Sequence, residues 1–171
     1  LLYSIYNLSI NSGPSKFTGT VSGNTGNKPK IDIILSSNNI NLDLLSKKFS
    51  KVKKSLSKVN DQNLITKNSY WDLYEGTMLL SIGTSKFLEY PIRDLVIDIK
   101  RENKNYMLNI GKGTFPGNTK ISFKGDFKND LSVFEGSSII NSDNIRQFSK
   151  WLSIDIKNIS DSRLRKTKLN S

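Results

Sequence analysis

The residues that could do chemistry in this chain are few, because it contains neither cysteine nor histidine. That removes thiolate nucleophiles, imidazole bases and every Cys/His zinc geometry at once. Carboxylates remain. Asp94 and Asp98 share one strand face four residues apart, and at ~3.3 Å per residue they stand ~13 Å from each other. A glycosidase pair needs ~5–9.5 Å, so the spacing reads as outward-facing, solubilising side chains. Gly111-Lys112-Gly113-Thr114 has the composition of a phosphate loop but not the G-x-x-x-x-G-K-[ST] spacing, and the next stretch is strand-like instead of helical; it reads as a turn. No catalytic residue, metal ligand or cofactor site is expected, and the reading is non-enzymatic.

The other chemically pointed feature is charge. Lys and Arg number 26 against 15 Asp and Glu, for a net charge of +11. Such a surface attracts polyanions, whether nucleic acid or anionic headgroups, although a Lys-, Asn- and Ile-rich composition also follows from an AT-rich genome. Lys47, Lys51, Lys54 and Lys58 recur at helical spacing and are candidates for a basic surface; the bland alternative is a solvated helix face. Nucleic-acid binding would call for aromatic platforms among the basic residues. Tyr70, Trp71 and Tyr74 do cluster, but beside Asp72 and Glu75, which argues against that partner. The basic tail from Arg163 to Lys168 reads as a frayed terminus.

The elements that hold these residues are mostly strands. Leu1–Ile10 and Lys16–Ser22 suit extended chain on either side of Asn11-Ser12-Gly13-Pro14, a turn cluster. In Lys30–Ser36, Ile31, Ile33 and Leu35 fall on one face by the two-residue period. The period then changes: Leu45, Phe49, Val52, Leu56 and Val59 form a helical stripe, capped by Asn39 or Asn41. Alternation returns in Met78/Leu80/Ile82, Leu95/Ile97/Ile99, Tyr106/Leu108/Ile110 and Ile121/Phe123/Phe127, joined by turn chemistry at 102–105 and 113–118. This predicts an antiparallel meander over 76–127. A weak echo relates 16–59 to 133–152: Ile34–Ile40 resembles Ile139–Ile145, each follows Phe-x-Gly, and each leads into a helix, the second carrying Ile145, Phe148, Trp151 and Leu152. One β-rich unit over 1–171 is expected. Leu1 is not a start methionine and no leader-like segment opens the sequence. The expectation is therefore an interior or C-terminal piece of a longer protein, with any membrane anchor outside it.

These stretches resemble the C-terminal region of the AsmA family. Phe134-Glu135-Gly136 followed by Ser142-Asp143-Asn144-Ile145-Arg146-Gln147-Phe148-Ser149-Lys150-Trp151-Leu152 resembles that family's strand, Asp-Asn-Leu/Ile turn and amphipathic helix ending in Trp-Leu. Leu88-Glu89-Tyr90 with Ile92-Arg93-Asp94-Leu95, and Phe115-Pro116-Gly117-Asn118-Thr119 before Gly125, resemble its paired strands and its Pro-Gly loop. Lys16-Phe17-Thr18-Gly19-Thr20 and Leu42-Asp43-Leu44-Leu45 fit as well, so the likeness runs from about Phe17 to Leu152. It implies a curved antiparallel sheet, an open groove or taco-like trough, with one or two amphipathic helices. It also implies a periplasmic body anchored to the inner membrane of a Gram-negative-type cell, and a part in phospholipid transport and outer-membrane upkeep. The strong basicity and the long Lys-rich helix depart from the family pattern.

Residue pattern alone leaves the apolar sheet face with two meanings, a core sealed by the helices or a surface that acyl chains reach. With the resemblance, Leu95, Ile97, Ile99, Leu108, Ile110, Ile121 and Phe123 become the expected lipid contacts and phospholipid acyl chains the expected partner; the alternatives are a β-rich adhesion or scaffold domain that binds protein and, after it, a basic nucleic-acid-binding module.

Overall fold

The computed structural model describes residues 1–47, 74–103, 105–128, 133–156, 158–160 and 167–170. Nine strands follow one another in space in the order of the sequence: β1 (Leu2–Ser12), β2 (Ser15–Asn24), β3 (Lys30–Asn41), β4 (Glu75–Phe87), β5 (Tyr90–Glu102), β6 (Asn105–Phe115), β7 (Thr119–Lys128), β8 (Val133–Ser142) and β9 (Thr167–Asn170). β1 and β9 do not meet, so the sheet is open. Two short helices accompany it, α1, described over residues 42–47, and α2 (Ile145–Trp151). The meander expected over 76–127 is present as β4 to β7, antiparallel throughout.

The sheet is nonetheless mixed. β3 and β4 pair in parallel, Ile33 beside Met78 and Leu35 beside Leu80. A parallel pair cannot be closed by a hairpin and needs a crossover of a dozen or more residues. The stretch between Asn41 and Glu75, which α1 opens, supplies that length. Asn41, the last residue of β3, is the cap: its Oδ1 accepts the Leu44 amide at 3.0 Å, whereas Asn39 lies two residues further back in the strand. Phe49, Val52, Leu56 and Val59 of the predicted stripe, and Lys51, Lys54 and Lys58 of the basic one, lie outside the described residues. Lys47 is exposed.

Several strands break the two-residue period. In β1, Ile5 pairs Val21 but Leu8 pairs Gly19, with Asn7 at φ 56° between them. In the centre of the sheet the buried positions step by three, Ser37 and Ile40 in β3 and Ile82 and Ser85 in β4. In β5 both Ile92 and Leu95 pack into one cluster, with Asp94 at φ 53° between them. An odd step keeps both residues on one side only if the pleat slips by one, as at a β-bulge. In β6 the register shifts around Asn109, between Leu108 and Gly111. This corrects the predicted set Tyr106/Leu108/Ile110. Leu108 is buried opposite Ile99, while Ile110 stands opposite Asp98 on the other side and is 45% exposed.

The packed core sits at one end of the sheet. α2 lays Phe148 and Trp151 over Ile92, with Leu42, Phe87, Tyr90, Leu95, Phe115, Ile121 and Ile145 around them. Helix entry is fixed by Asn144, whose Oδ1 accepts the Gln147 amide at 3.0 Å, and whose own amide donates to Gly117 O at 3.0 Å in the β6–β7 turn. Thr119, fully buried, bonds Pro116 O at 2.9 Å and the Ser142 hydroxyl at 2.7 Å, locking that turn to the end of β8. Replacing Asn144 with alanine leaves an orphan N–H in the first turn, and a loss of about 0.5–2 kcal/mol is expected in a urea unfolding midpoint.

The echo falls on two strand-to-helix junctions, β3 into α1 and β8 into α2. Ser37 and Ser142 are both buried there. Phe134-Glu135-Gly136 lies in the strand before its helix, whereas Phe17-Thr18-Gly19 lies one strand further away, in β2.

Candidate functional site

Register assigns the two sides of the sheet. Residues opposite one another in neighbouring strands share a side. From β2 to β5 one side carries Val21, Ile31, Ile33, Met78, Leu80, Ile97 and Ile99. From β6 to β8 it carries Tyr106, Leu108, Ile121, Phe123, Phe127, Phe134 and Ile140. Tyr3, Ile5, Leu8 and Ile10 continue it to the β1 edge. The other side holds Asp32, Asp98, Lys100, Lys112, Lys124, Asp126 and Glu135, with Ile34, Met107, Ile110 and Ile139 scattered among them. From β2 to β8 the sheet thus has an apolar side and a charged side.

The apolar side is not evenly covered. α2 and the start of α1 close the end where Phe87, Ile92, Phe115 and Ile121 lie. Toward the opposite end a recess of about 340 Å³ opens, lined by Ile31, Ile33, Met78, Ile99, Gly76, Tyr74 and Tyr106. Its volume is within the ~300–1,000 Å³ of ligand sites. Beside it Phe134 meets Phe123 and Phe127 at ring centroid distances of 6.4 and 5.0 Å. Among the described residues no helix lies over this end.

Arg101 puts a charge on the apolar side, at the mouth of the recess. Its guanidinium donates to the Tyr74 carbonyl and lies 5.4 Å from the Tyr106 ring centroid. The nearby end of β5 carries the ion pair Lys100–Glu102 at 2.7 Å. The shared hydrogen bond and charge hold the Lys100 ammonium above its ordinary pKa and the Glu102 carboxyl below its own.

The seven predicted contact residues separate into three groups. Ile97, Ile99 and Phe123 are half-buried on the apolar side, Ile99 in the recess wall. Leu95 and Ile121 lie on that side too, but pack against the α2 cluster, and Leu108 is buried. Ile110 belongs to the charged side, for the register reason given above. Tyr74, Arg101 and Tyr106 complete the recess without having been among the candidates; Arg101 prolongs the Leu95/Ile97/Ile99 alternation by one more step, so the signal was present.

Gly111-Lys112-Gly113-Thr114 is strand, within β6, and not a turn. A Cβ on Gly111 would stand 2.5 Å from the Phe123 ring, so this glycine makes room for an aromatic side chain from β7. Asp98 is half-buried and accepts from Asn109 Nδ2 at 3.3 Å, and Asp94 sits in the β5 irregularity. The described residues contain no group of three or more His, Cys, Asp or Glu placed to hold a metal ion, and no helix long and apolar enough to cross a membrane. No protein family matches the chain, and neither a curated protein nor a solved structure matches it.

Proposed function

We propose that this chain is an acyl-chain-binding segment of an AsmA-like protein. In that reading it is held at the inner membrane by sequence outside residues 1–171, has its body in the periplasm, and takes part in phospholipid transport and outer-membrane upkeep. The observation that carries it is the uneven cover of the apolar side. The same stripe of Ile, Leu, Met and Phe that packs under α2 at one end runs on, uncovered by any described helix, to the recess at the other. Apolar surface of that kind gains about 0.8 kcal/mol for each methylene it removes from water. An acyl chain supplies methylenes in a row and makes no demand on hydrogen-bonding groups. Contiguous apolar surface left open on a folded protein marks an interaction site. The resemblance in the Phe134–Trp151 stretch and the Pro-Gly loop supplies the cellular setting. Phospholipid is the substrate class, and the chemistry is shelter from water, with no bond made or broken.

The test is photo-crosslinking in cells. A benzophenone side chain in place of Ile97 is expected to capture phospholipid, and one in place of Ile34, exposed on the charged side, to capture little or none. Absence of lipid adducts at Ile97, or equal labelling at both positions, would overturn the proposal.

A further inference from the structure

On the charged side of the sheet the charges are sorted by sign. One cross-strand row runs Asp32, Thr77, Lys100, Met107, Asp126, Glu135, from β3 to β8, and residues opposite one another share a side. Nearer α2, beside Ile92 of the packed cluster, a second row runs Arg93, Thr114, Lys120, Asn141, from β5 to β8. Lys112 stands two residues from Thr114 on the same side, opposite Ser122. The first row carries three carboxylates and one lysine. The second, with Lys112, carries three cations and no carboxylate. A lysine-rich composition alone scatters its charges along the strands; these are segregated.

Between Lys112 and Lys120 the surface sinks into a recess of about 270 Å³, lined also by Asp94, Thr114, Ser122, Ile139 and Asn141. Arg93, Lys112 and Lys120 are exposed, and among the described residues none of them is in an ion pair. Lys112 and Lys120 are diagonal neighbours, ~7–8 Å apart on adjacent strands. At that distance the two ammonium groups repel each other, and one multivalent anion placed between them reaches both. A cleft lined by one sign of charge concentrates the field on such an ion. Asp94 is the one carboxylate at the recess.

The neutral lining narrows the chemistry. The Thr114 and Ser122 hydroxyls and the Asn141 amide are all hydrogen-bond donors. A phosphate group, with three strong acceptor oxygens and a charge of about −1.5 to −2, uses such donors together with Lys and Arg. A carboxylate has fewer oxygens and a single charge, and leaves part of the set unused. The volume is just under the ~300–1,000 Å³ of ordinary ligand sites, which suits a small ligand, and Ile139, 45% exposed, gives its carbon skeleton an apolar wall. None of the lining residues is aromatic, so there is no platform on which nucleic-acid bases would stack. We propose that the recess is a binding site for a small organic phosphate, with Lys112 and Lys120 as its charged contacts and Arg93 strengthening the field from the row beside them. The site lies on the opposite side of the sheet from the acyl-chain surface and stands independently of it.

Calorimetric titration with glycerol 3-phosphate at low ionic strength is the direct test. One site per molecule is expected, weakened about tenfold by Lys112→Gln and about tenfold by Lys120→Gln, the worth of one charge-assisted hydrogen bond each. Asp94→Asn removes the repelling carboxylate and keeps a residue type that accepts φ 53°, so affinity is expected to rise about twofold or more. Lys30→Gln, a cation beside Glu75 at the far end of the same side, is expected to leave binding unchanged. A second arm uses phosphatidylcholine vesicles with and without phosphatidylglycerol. Sedimentation with the anionic vesicles that is lost in Lys112→Gln and Lys120→Gln makes the phosphate a lipid headgroup; glycerol 3-phosphate binding without such sedimentation makes it a soluble ligand. Urea midpoints of the two lysine variants should hold or rise, since each relieves like-charge repulsion. Binding in neither arm, an equal loss in Lys30→Gln, or weaker binding in Asp94→Asn would remove the site. A fall in both midpoints would do the same, by assigning the lysines to the fold.

Discussion

Replacing Trp151 with alanine is expected to destabilise the chain by about 3–5 kcal/mol, the range for emptying a buried aromatic site. Trp151 is the centre of the only cluster that joins α2 to the sheet among the described residues. Its ring lies 6.2 Å from Phe87, 5.5 Å from Phe115 and 5.7 Å from Phe148 by centroid, and its Nε1 donates to Phe87 O at 3.3 Å. Aromatic pairs of this geometry add about 0.5–1.5 kcal/mol each beyond burial. Against a total stability of about 5–15 kcal/mol for an ordinary domain, the loss is large enough to shift a urea midpoint conspicuously. Its effect has a location as well as a size. Amides near Phe87, Ile92 and Phe115 are expected to lose hydrogen-exchange protection before those near Met78 and Ile99, because the recess end never relied on α2. Trp151→Phe keeps ring contacts and forfeits the indole bond, so it should recover most of the stability. A midpoint unchanged in the alanine variant would mean that α2 does not clamp the sheet.

That cluster was the most legible part of the molecule. Phe148 and Trp151 stand three residues apart after an Asn that can cap, and both local rules point to one helix with one apolar side. The β4–β7 meander was legible for a similar reason: alternation marks each strand and turn residues mark each reversal. What alternation does not carry is the partner. Ile31, Ile33 and Leu35 show which side of β3 is apolar, yet nothing in them says that the neighbour is β4 running in parallel. That pairing depends on where the chain returns after Asn41, and turn chemistry does not encode it.

The slips in the pleat were the second loss, and the more instructive one. Counting by twos along β6 puts Ile110 with Leu108, and a single extra residue near Asn109 sends it to the charged side. A trace of these slips did exist in the sequence. Asn7 and Asp94 interrupt otherwise apolar strand patterns, and Asn and Asp are the residues that most readily take positive φ outside glycine. Reading each as a change of phase would have grouped Ile92 with Leu95 and Ile5 with Leu8. The recess was half legible: Ile97 and Ile99 came from the pattern, but Tyr74 and Ile33 reach it only because β3 lies against β4.

The sharpest consequence of that pairing is at Gly76, where alanine is expected to cost about 2–6 kcal/mol. The estimate joins two penalties, ~1–3 kcal/mol for a backbone conformation that L-residues avoid and ~1–3 kcal/mol for overpacking. Gly76 has φ +143°, and a Cβ there would stand 1.8 Å from Ile31 O. The clash is with main chain, so no rotamer change relieves it; β3 and β4 must separate where Ile31 pairs Gly76 and Gly76 pairs Arg101. The side chain of Asp32 anchors the next residue, its Oδ1 accepting the Thr77 amide at 2.9 Å and hydroxyl at 2.7 Å, so the strain cannot be passed down the strand. Gly26→Ala is the control: its Cβ would meet nothing closer than Asn24 Oδ1 at 3.8 Å, and a change within about 0.5 kcal/mol is expected. Urea midpoints of the two variants check the contrast. Because Gly76 also lines the recess while Trp151 does not, the two large losses should differ in kind. Lipid capture at Ile97 should fall in folded Gly76→Ala protein and persist in whatever fraction of Trp151→Ala remains folded, which separates the architecture that holds the sheet together from the surface it leaves open.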